Sequence, residues 1–77
     1  MRIQVRLFAT LRQYGPPGEE PFPLEVEEGA LVGHVLETLG IPAEVQKVIL
    51  LNGRHAKVDD RVDDGDVLTL FPPVEGG

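Results

Sequence analysis

The sequence has 77 residues, of which 13 are acidic and seven are basic, and its formal net charge is −6. A chain of this length builds one small core, and its negative charge has the wrong sign for binding phosphate backbones, which makes nucleic acid a poor partner. It has no cysteine, which excludes disulfides, thiolate metal sites and a thiol nucleophile, and its longest apolar run, residues 48–51, is far too short for a membrane span.

The first third of the chain predicts a pair of strands. Apolar and polar residues alternate over residues 1–8, as in a strand with one face on a core. Residues 9–14 predict a short helical turn, and the Gly-Pro-Pro-Gly sequence at 15–18 predicts a loop. The alternation resumes at residues 22–26, which predict a second strand that pairs with the first as a hairpin; two prolines mark its start as outer or irregular.

One helix is predicted by an apolar stripe at positions i, i+4, i+5 and i+8, namely Leu31, Val35, Leu36 and Leu39. Gly40 follows directly and is a natural residue for the end of a helix. Gly33 lies inside the helix, where glycine costs roughly 1 kcal/mol relative to alanine. We therefore expect tertiary packing to hold this helix in place.

The second half of the chain predicts three more strands. The apolar run at 48–51 has the length of a buried central strand. Asn-Gly at 52–53 is the strongest short signal for a hairpin turn, after which residues 54–57 return as a brief strand. A loop at 59–66 leads to the last strand, 67–71. These elements predict a mixed α+β domain with parallel first and last strands, because the connection between them carries the helix.

The last six residues, 72–77, predict an extended tail that ends on two glycines. Pro72 and Pro73 fix φ near −65° and disfavour the helical region before them. Six residues at roughly 3.3 to 3.6 Å each reach about 20 Å, deep enough to enter another protein's active site. A Gly-Gly end adds almost nothing to a fold. We predict that residues 1–71 form the domain, that the α-carboxylate of Gly77 is the reactive group and that the other 76 residues present it.

Four stretches spread over most of the chain carry a family resemblance. They are Val5-Arg6-Leu7-Phe8-Ala9-x-Leu11-Arg12, Leu51-Asn52-Gly53, Asp64-Gly65-Asp66-Val67 and Leu70-Phe71-Pro72-Pro73-Val74-x-Gly76-Gly77. With this element order they resemble the ubiquitin-like β-grasp fold, in which a mixed sheet of four to five strands packs on one main helix. Within that fold the chain resembles the MoaD and ThiS group of prokaryotic sulfur carriers, and MoaD most closely.

The resemblance implies that the protein carries sulfur and is not itself a catalyst. An ATP-dependent MoeB- or ThiF-like adenylyltransferase would adenylate the Gly77 carboxylate, and a sulfurtransferase would supply the sulfur of the resulting thiocarboxylate. ATP and Mg²⁺ would belong to that enzyme, so the chain itself would bind no cofactor. Glu75, Gly76 and Gly77 would thread the enzyme's channel, and a side chain at position 76 or 77 would collide with the channel walls.

The same resemblance implies a MoaE-like large subunit as partner, on which the thiocarboxylate would donate sulfur to the molybdopterin precursor. The residues expected at this contact are Phe8, Phe71, Pro72, Pro73 and Val74. Phe71 also suits a core position, and the choice depends on whether Leu68 and Leu70 face inward. Glu75 stands where the family more often has a small residue; it either repels nucleotide phosphates or selects a partner with a facing cation.

Several other functions stay open. The sulfur acceptor could belong to tungsten cofactor, thiamine, amino-acid or tRNA thiolation pathways, or Gly77 could be joined to lysine, as in a ubiquitin-like modifier. The Gly-Gly end could also be incidental to a non-covalent interaction module. Calcium and zinc are improbable, because the loop at 60–65 lacks calcium ligands at key positions and the two histidines have no zinc-site spacing. The N-terminus has no signal-peptide pattern, so we expect a cytoplasmic protein.

Overall fold

A computed structural model describes residues 1–73. Within them lie five strands, one α-helix and one 3₁₀ helix. In chain order they are β1 (Arg2–Leu7), the 3₁₀ helix (Ala9–Tyr14), β2 (Phe22–Glu25), α1 (Val32–Leu39), β3 (Val48–Leu51), β4 (Arg54–His55) and β5 (Val67–Phe71). No helix in this part of the chain has the length and apolar character needed to cross a membrane.

The strands form one mixed sheet in the order β2-β1-β5-β3-β4. β1 and β5 run parallel, with Val5 opposite Leu68 and Leu7 opposite Leu70. All other neighbouring strands are antiparallel, including the predicted hairpin of β1 and β2. The element order, the hairpin and the parallel pairing of first and last strands are therefore confirmed, and the fold is a ubiquitin-like β-grasp.

The core lies between α1 and one face of the sheet. Its main members come from β1, α1 and β5: Ile3, Val5, Leu7, Val32, Val35, Leu36, Leu68 and Leu70. Burial of a side chain of this size stabilises a fold by about 1.5 to 3 kcal/mol. The residues that alternate in β1 and β5 point into this core at every second position, which is why those two strands are readable from the sequence alone.

Gly33 has a packing role that offsets its low helix propensity. Its amide donates to the Val58 carbonyl at 2.8 Å, and the amide of Val32 donates to the Asp60 carbonyl at 2.8 Å. A Cβ on Gly33 would lie 3.2 Å from the Val58 oxygen. Glycine at this position thus lets residues 58–60 approach the first turn of α1. Their carbonyls accept from amides that the start of a helix leaves unpaired. At the other end, Gly40 has φ of 79°, the left-handed conformation predicted for it.

β3 and β4 differ from their predictions. β3 is an internal strand, between β5 and the edge strand β4, as predicted, but its four residues are half-buried, so the predicted full burial is wrong. Ile49 and Leu51 pack against the core, whereas Val48 and Leu50 lie on the opposite face because strand residues alternate. β4 has two residues, not four. The turn at 52–53 does have the predicted form, with φ of 53° and 83°.

Candidate functional site

The sheet face turned away from α1 carries an apolar patch beside the end of β5. Val48 is opposite Phe71 and Leu50 is opposite Thr69, and residues directly opposite each other share a face. Phe8 continues β1 in an extended conformation, with φ of −119° and ψ of 153°. Its amide donates to the Leu70 carbonyl at 3.1 Å. Phe8, Val48, Leu50 and Phe71, all half-buried, form what we call the outer patch.

The orientation of Phe71 follows from its neighbours in β5. Leu68 and Leu70 are both 0% exposed and fill the inward face of the strand. Alternation then places Phe71 on the outer face, where it is half-buried and not part of the core. Of the two positions that the sequence allowed for Phe71, the structure has the outer one, and Phe8 lies on the same face, as expected.

A cation borders the outer patch. The guanidinium carbon of Arg6 lies 5.2 Å from the centre of the Phe8 ring, within the range of a cation–π interaction. Arg6 is also 3.9 Å from Oε1 of Glu20, and the other carboxylate oxygen, Oε2, lies 3.0 Å from the Arg12 guanidinium. Arg6 therefore contributes positive charge to the rim of an apolar surface in a molecule whose net charge is negative.

Of the predicted tail, 72–77, the structure describes the first two residues. Pro72 and Pro73 are half-buried. Beside Pro73 lies a shallow depression that we call the tail-root groove, lined by Ala43, Val45, Gln46, Lys47, Ile49 and Val58. The other predicted site residues, Val74, Glu75, Gly76 and Gly77, lie outside the described residues.

Sequence reasoning missed Val48 and Leu50 as surface residues of this site. A strand of four apolar residues needs cover on both faces to be buried, and α1, the one α-helix within residues 1–73, packs against a single face of the sheet. The number of predicted helices was the available signal: with one helix, the second apolar face of β3 had to be partly open to solvent.

The acidic loop before β5 has a structural role in the described residues. The Arg2 amide donates to Asp64 Oδ1 at 2.8 Å, and the Asp63 amide donates to Asp66 Oδ2 at 2.8 Å. The Asp64 carboxylate therefore ties the loop to β1, whereas the Asp66 carboxylate holds the loop together internally. Across residues 1–73 no three His, Cys, Asp or Glu side chains are grouped so that they could hold a metal ion.

Known proteins similar to this chain identify its family. A family model described as Mut7-C ubiquitin matches residues 1–76. The chain belongs to the Mut7-C ubiquitin family. The ubiquitin-like resemblance drawn from the sequence is thereby confirmed.

Relatives of this Mut7-C ubiquitin protein include small archaeal modifier proteins and a chain of a molybdopterin-converting factor. Small archaeal modifier protein 3 of Haloferax volcanii is 34% identical, with full coverage of both chains. The crystal structure of SAMP1 from Haloferax volcanii matches with a TM-score of 0.78 and 28% identity, again over 100% of both chains. A chain of the complex of subunits 1 and 2 of molybdopterin-converting factor from Helicobacter pylori matches with a TM-score of 0.65 and 28% identity over 100% of both chains.

The chain is thus similar both to small archaeal modifier proteins and to a chain of a molybdopterin-converting factor. Both groups agree with the β-grasp fold described above.

Proposed function

We propose that this protein is a sulfur carrier in molybdopterin biosynthesis, with Gly77 as its C-terminal, reactive residue. The observation that carries the proposal is the outer patch beside the root of the tail. Phe71 belongs to the patch and is the last residue of β5, and the tail predicted for residues 72–77 begins directly after it. A partner that binds the outer patch thereby fixes the point at which the tail enters its active site.

The proposed chemistry occurs entirely at the tail. An oxygen of the Gly77 carboxylate attacks the α-phosphate of ATP on a MoeB- or ThiF-like enzyme, which forms an acyl adenylate and releases pyrophosphate. Sulfide, delivered by a sulfurtransferase, then attacks the carbonyl carbon and displaces AMP. The product is a thiocarboxylate. Adenylation is needed because a free carboxylate is a poor acyl donor until its oxygen becomes a good leaving group.

The composition of the outer patch supports a protein partner. Buried aromatic residues near the centre of an interface carry much of the binding energy, and here two phenylalanines lie side by side with Val48 and Leu50 around them. Subunits 1 and 2 of the molybdopterin-converting factor of Helicobacter pylori form a complex. We propose that the outer patch binds a MoaE-like large subunit and, in a separate step, the adenylating enzyme.

Mass spectrometry of the intact protein tests the sulfur-carrier proposal. The full chain is incubated with ATP, the adenylating enzyme of the same organism and a sulfide source, with ATP omitted from the control. We expect exchange of one oxygen for one sulfur at Gly77 only when ATP is present. The proposal would be overturned if this terminus stayed unchanged while the same enzyme thiolated another carrier protein under the same conditions.

Adenylation uses ATP and thiocarboxylate formation uses sulfide. Because both compounds are intracellular, we propose that the protein is cytoplasmic.

A second candidate function is protein modification. It is favoured by the 34% identity, over the full length of both chains, with a small archaeal modifier protein. The activated Gly77 carboxyl would then be attacked by a lysine amine in place of sulfide, and an isopeptide bond would form as AMP leaves. The same incubation distinguishes the two functions when a cell extract replaces the sulfide source. The modified proteins are digested with a glutamate-specific protease, which cleaves after Glu75, and peptides with a Gly-Gly remnant on lysine indicate the modifier.

A further inference from the structure

We propose that the α1 side of the domain binds the sulfurtransferase while the adenylating enzyme holds the outer patch and the tail. The binding surface is a depression of about 420 Å³ beside α1, which we call the helix groove; its lining includes Leu36, Ile41 and Val58 and the carboxylates of Glu37 and Asp59. Its occupant is an aliphatic side chain of the sulfurtransferase next to a lysine or arginine. This inference rests on the proposed sulfur-carrier function.

The order of the proposed chemistry requires a second surface on the carrier. Sulfide displaces AMP only after the acyl adenylate has formed, so the sulfurtransferase acts while the adenylating enzyme still holds the tail. The outer patch is covered at that stage. A second protein that contacts the carrier therefore needs a different face, and none of the four outer-patch residues lines the helix groove, which lies on the α1 side of the sheet.

The helix groove is continuous with the start of the tail. It shares Ala43, Lys47 and Val58 with the tail-root groove, and Pro73 lines the tail-root groove. The two depressions together therefore lead from α1 to Pro73. A protein bound in the helix groove lies beside the point at which the tail leaves the domain, on the side of the sheet that a protein on the outer patch leaves open.

The apolar part of the helix groove is preformed around Val58. This side chain is 54% exposed and is the exposed large apolar residue among residues 1–73. Its carbonyl accepts from the Gly33 amide at 2.8 Å, and a Cβ on Gly33 would lie 3.5 Å from the Val58 Cβ. The hydrogen bond to α1 therefore fixes the backbone of an exposed valine beside Leu36 and Ile41. A rigid apolar depression of this size suits an apolar ligand group, because binding requires no reordering of its walls.

The charge of the helix groove specifies the residue next to that apolar group. Glu37 and Asp59 are exposed, and neither forms an ion pair within residues 1–73. Lys47 also lines the groove, but its ammonium already donates to the Val45 carbonyl. Two negative charges against one positive charge, in a chain whose net charge is −6, favour a cation on the partner. A lysine or arginine beside the aliphatic side chain supplies it.

Two sulfur sources test this contact, because free sulfide reaches the acyl adenylate without a docking protein. The full chain is incubated with ATP, the adenylating enzyme of the same organism and either free sulfide or the sulfur-loaded sulfurtransferase, and thiocarboxylate is followed by mass spectrometry. The variants are Val58→Ser and Glu37→Lys; both side chains are exposed, so neither change removes a core contact. Glu28→Lys is the matched control, because it makes the same charge change at an exposed residue that lines neither groove.

With the sulfurtransferase, kcat/KM should fall by at least about fivefold for Val58→Ser and by at least about twofold for Glu37→Lys, whereas Glu28→Lys should react as the wild type does. With free sulfide, all four chains should react at the same rate.

Three results would overturn the proposal. Wild-type rates of both groove variants with the sulfurtransferase would mean that the sulfurtransferase contacts the adenylating enzyme alone. A loss that is equal with both sulfur sources would place the defect in adenylation, and an equal loss in Glu37→Lys and Glu28→Lys would show an effect of net charge. A wild-type chain that gains no sulfur from free sulfide would refute the sulfur-carrier function itself, and this proposal with it.

Discussion

At the scale of single residues, Asn52 joins the turn between β3 and β4 to the start of β5. Its Oδ1 accepts from the Val67 amide at 2.9 Å, and its Nδ2 donates to Asp66 at 2.9 Å. Asn52 also has a positive φ of 53°, which asparagine tolerates better than most residues. We expect Asn52→Ala to lower the free energy of unfolding by about 1 to 2 kcal/mol, measured by urea denaturation, because both bonds are lost.

Asn52→Gly separates the two causes. Glycine adopts a positive φ without a steric penalty but makes neither side-chain hydrogen bond. The glycine variant should therefore lie between the wild type and Asn52→Ala in stability. An Asn52→Ala variant as stable as the wild type would mean that the two side-chain hydrogen bonds of Asn52 contribute nothing to the stability of the fold.

Arg6 and Arg12 allow a second test at the residue scale, because both contact the carboxylate of Glu20 but only Arg6 lies over the Phe8 ring. An exposed cation–π contact is worth about 0.5 to 1 kcal/mol. We expect Arg6→Glu to weaken binding of a MoaE-like subunit by at least about twofold, as measured by calorimetry. Arg12→Glu introduces the same charge change and should bind as the wild type does. Equal losses in both variants would show that net charge, and not the rim of the outer patch, matters.

At the scale of elements, β3 has two faces with different roles, and point changes should separate them. Leu50 lies on the outer face and Ile49 packs on the core. Ile49→Ser should cost about 2 to 4 kcal/mol of unfolding free energy, whereas Leu50→Ser should cost less. Leu50→Ser should instead weaken binding of the partner about tenfold, as expected for truncation of an apolar residue that packs beside the aromatic centre of an interface.

Val67→Ser is the matched control for Leu50→Ser. Val67 lies opposite Gln4 on the outer face of β5 and is half-buried like Leu50, but it is four residues before Phe71 and so at the far end of the strand. Binding that is unaffected by Leu50→Ser, or equally affected by both variants, would contradict the location proposed for the interface.

The elements also explain how far the sequence alone could go. β1, α1 and β5 are each specified by a period or an end signal within one segment, such as the alternation through Val5 and Leu7 or the glycine after Leu39. The burial of β3 is not local, because it depends on β4 being two residues long and on the single α-helix of residues 1–73 packing against the other face of the sheet. For the same reason, the sequence predicted only two of the four residues of the outer patch. Phe8 and Phe71 are in recognisable motifs, while Val48 and Leu50 join them only through strand register.

At the scale of the whole molecule, the domain and the tail have separable roles. The strands, helices and core of the described structure all lie before Pro72. In contrast, the proposed chemistry needs the carboxylate at a fixed distance from the outer patch. Stability and reactivity should therefore respond to different parts of the chain, which a change at the last residue can show without disturbing the fold.

Deletion of Gly77 is that change. It moves the terminal carboxylate back by about 3.3 to 3.6 Å, and a displacement of even 1 Å from a reactive geometry can cost about 100-fold in rate. We expect thiocarboxylate formation, followed by mass spectrometry, to fall at least about 100-fold, while the urea midpoint stays at the wild-type value. An added C-terminal alanine, which lengthens the tail by one residue, should block the reaction equally. Because neither variant alters the outer patch, both should still bind a MoaE-like subunit; unimpaired sulfur loading in either would remove Gly77 as the reactive residue.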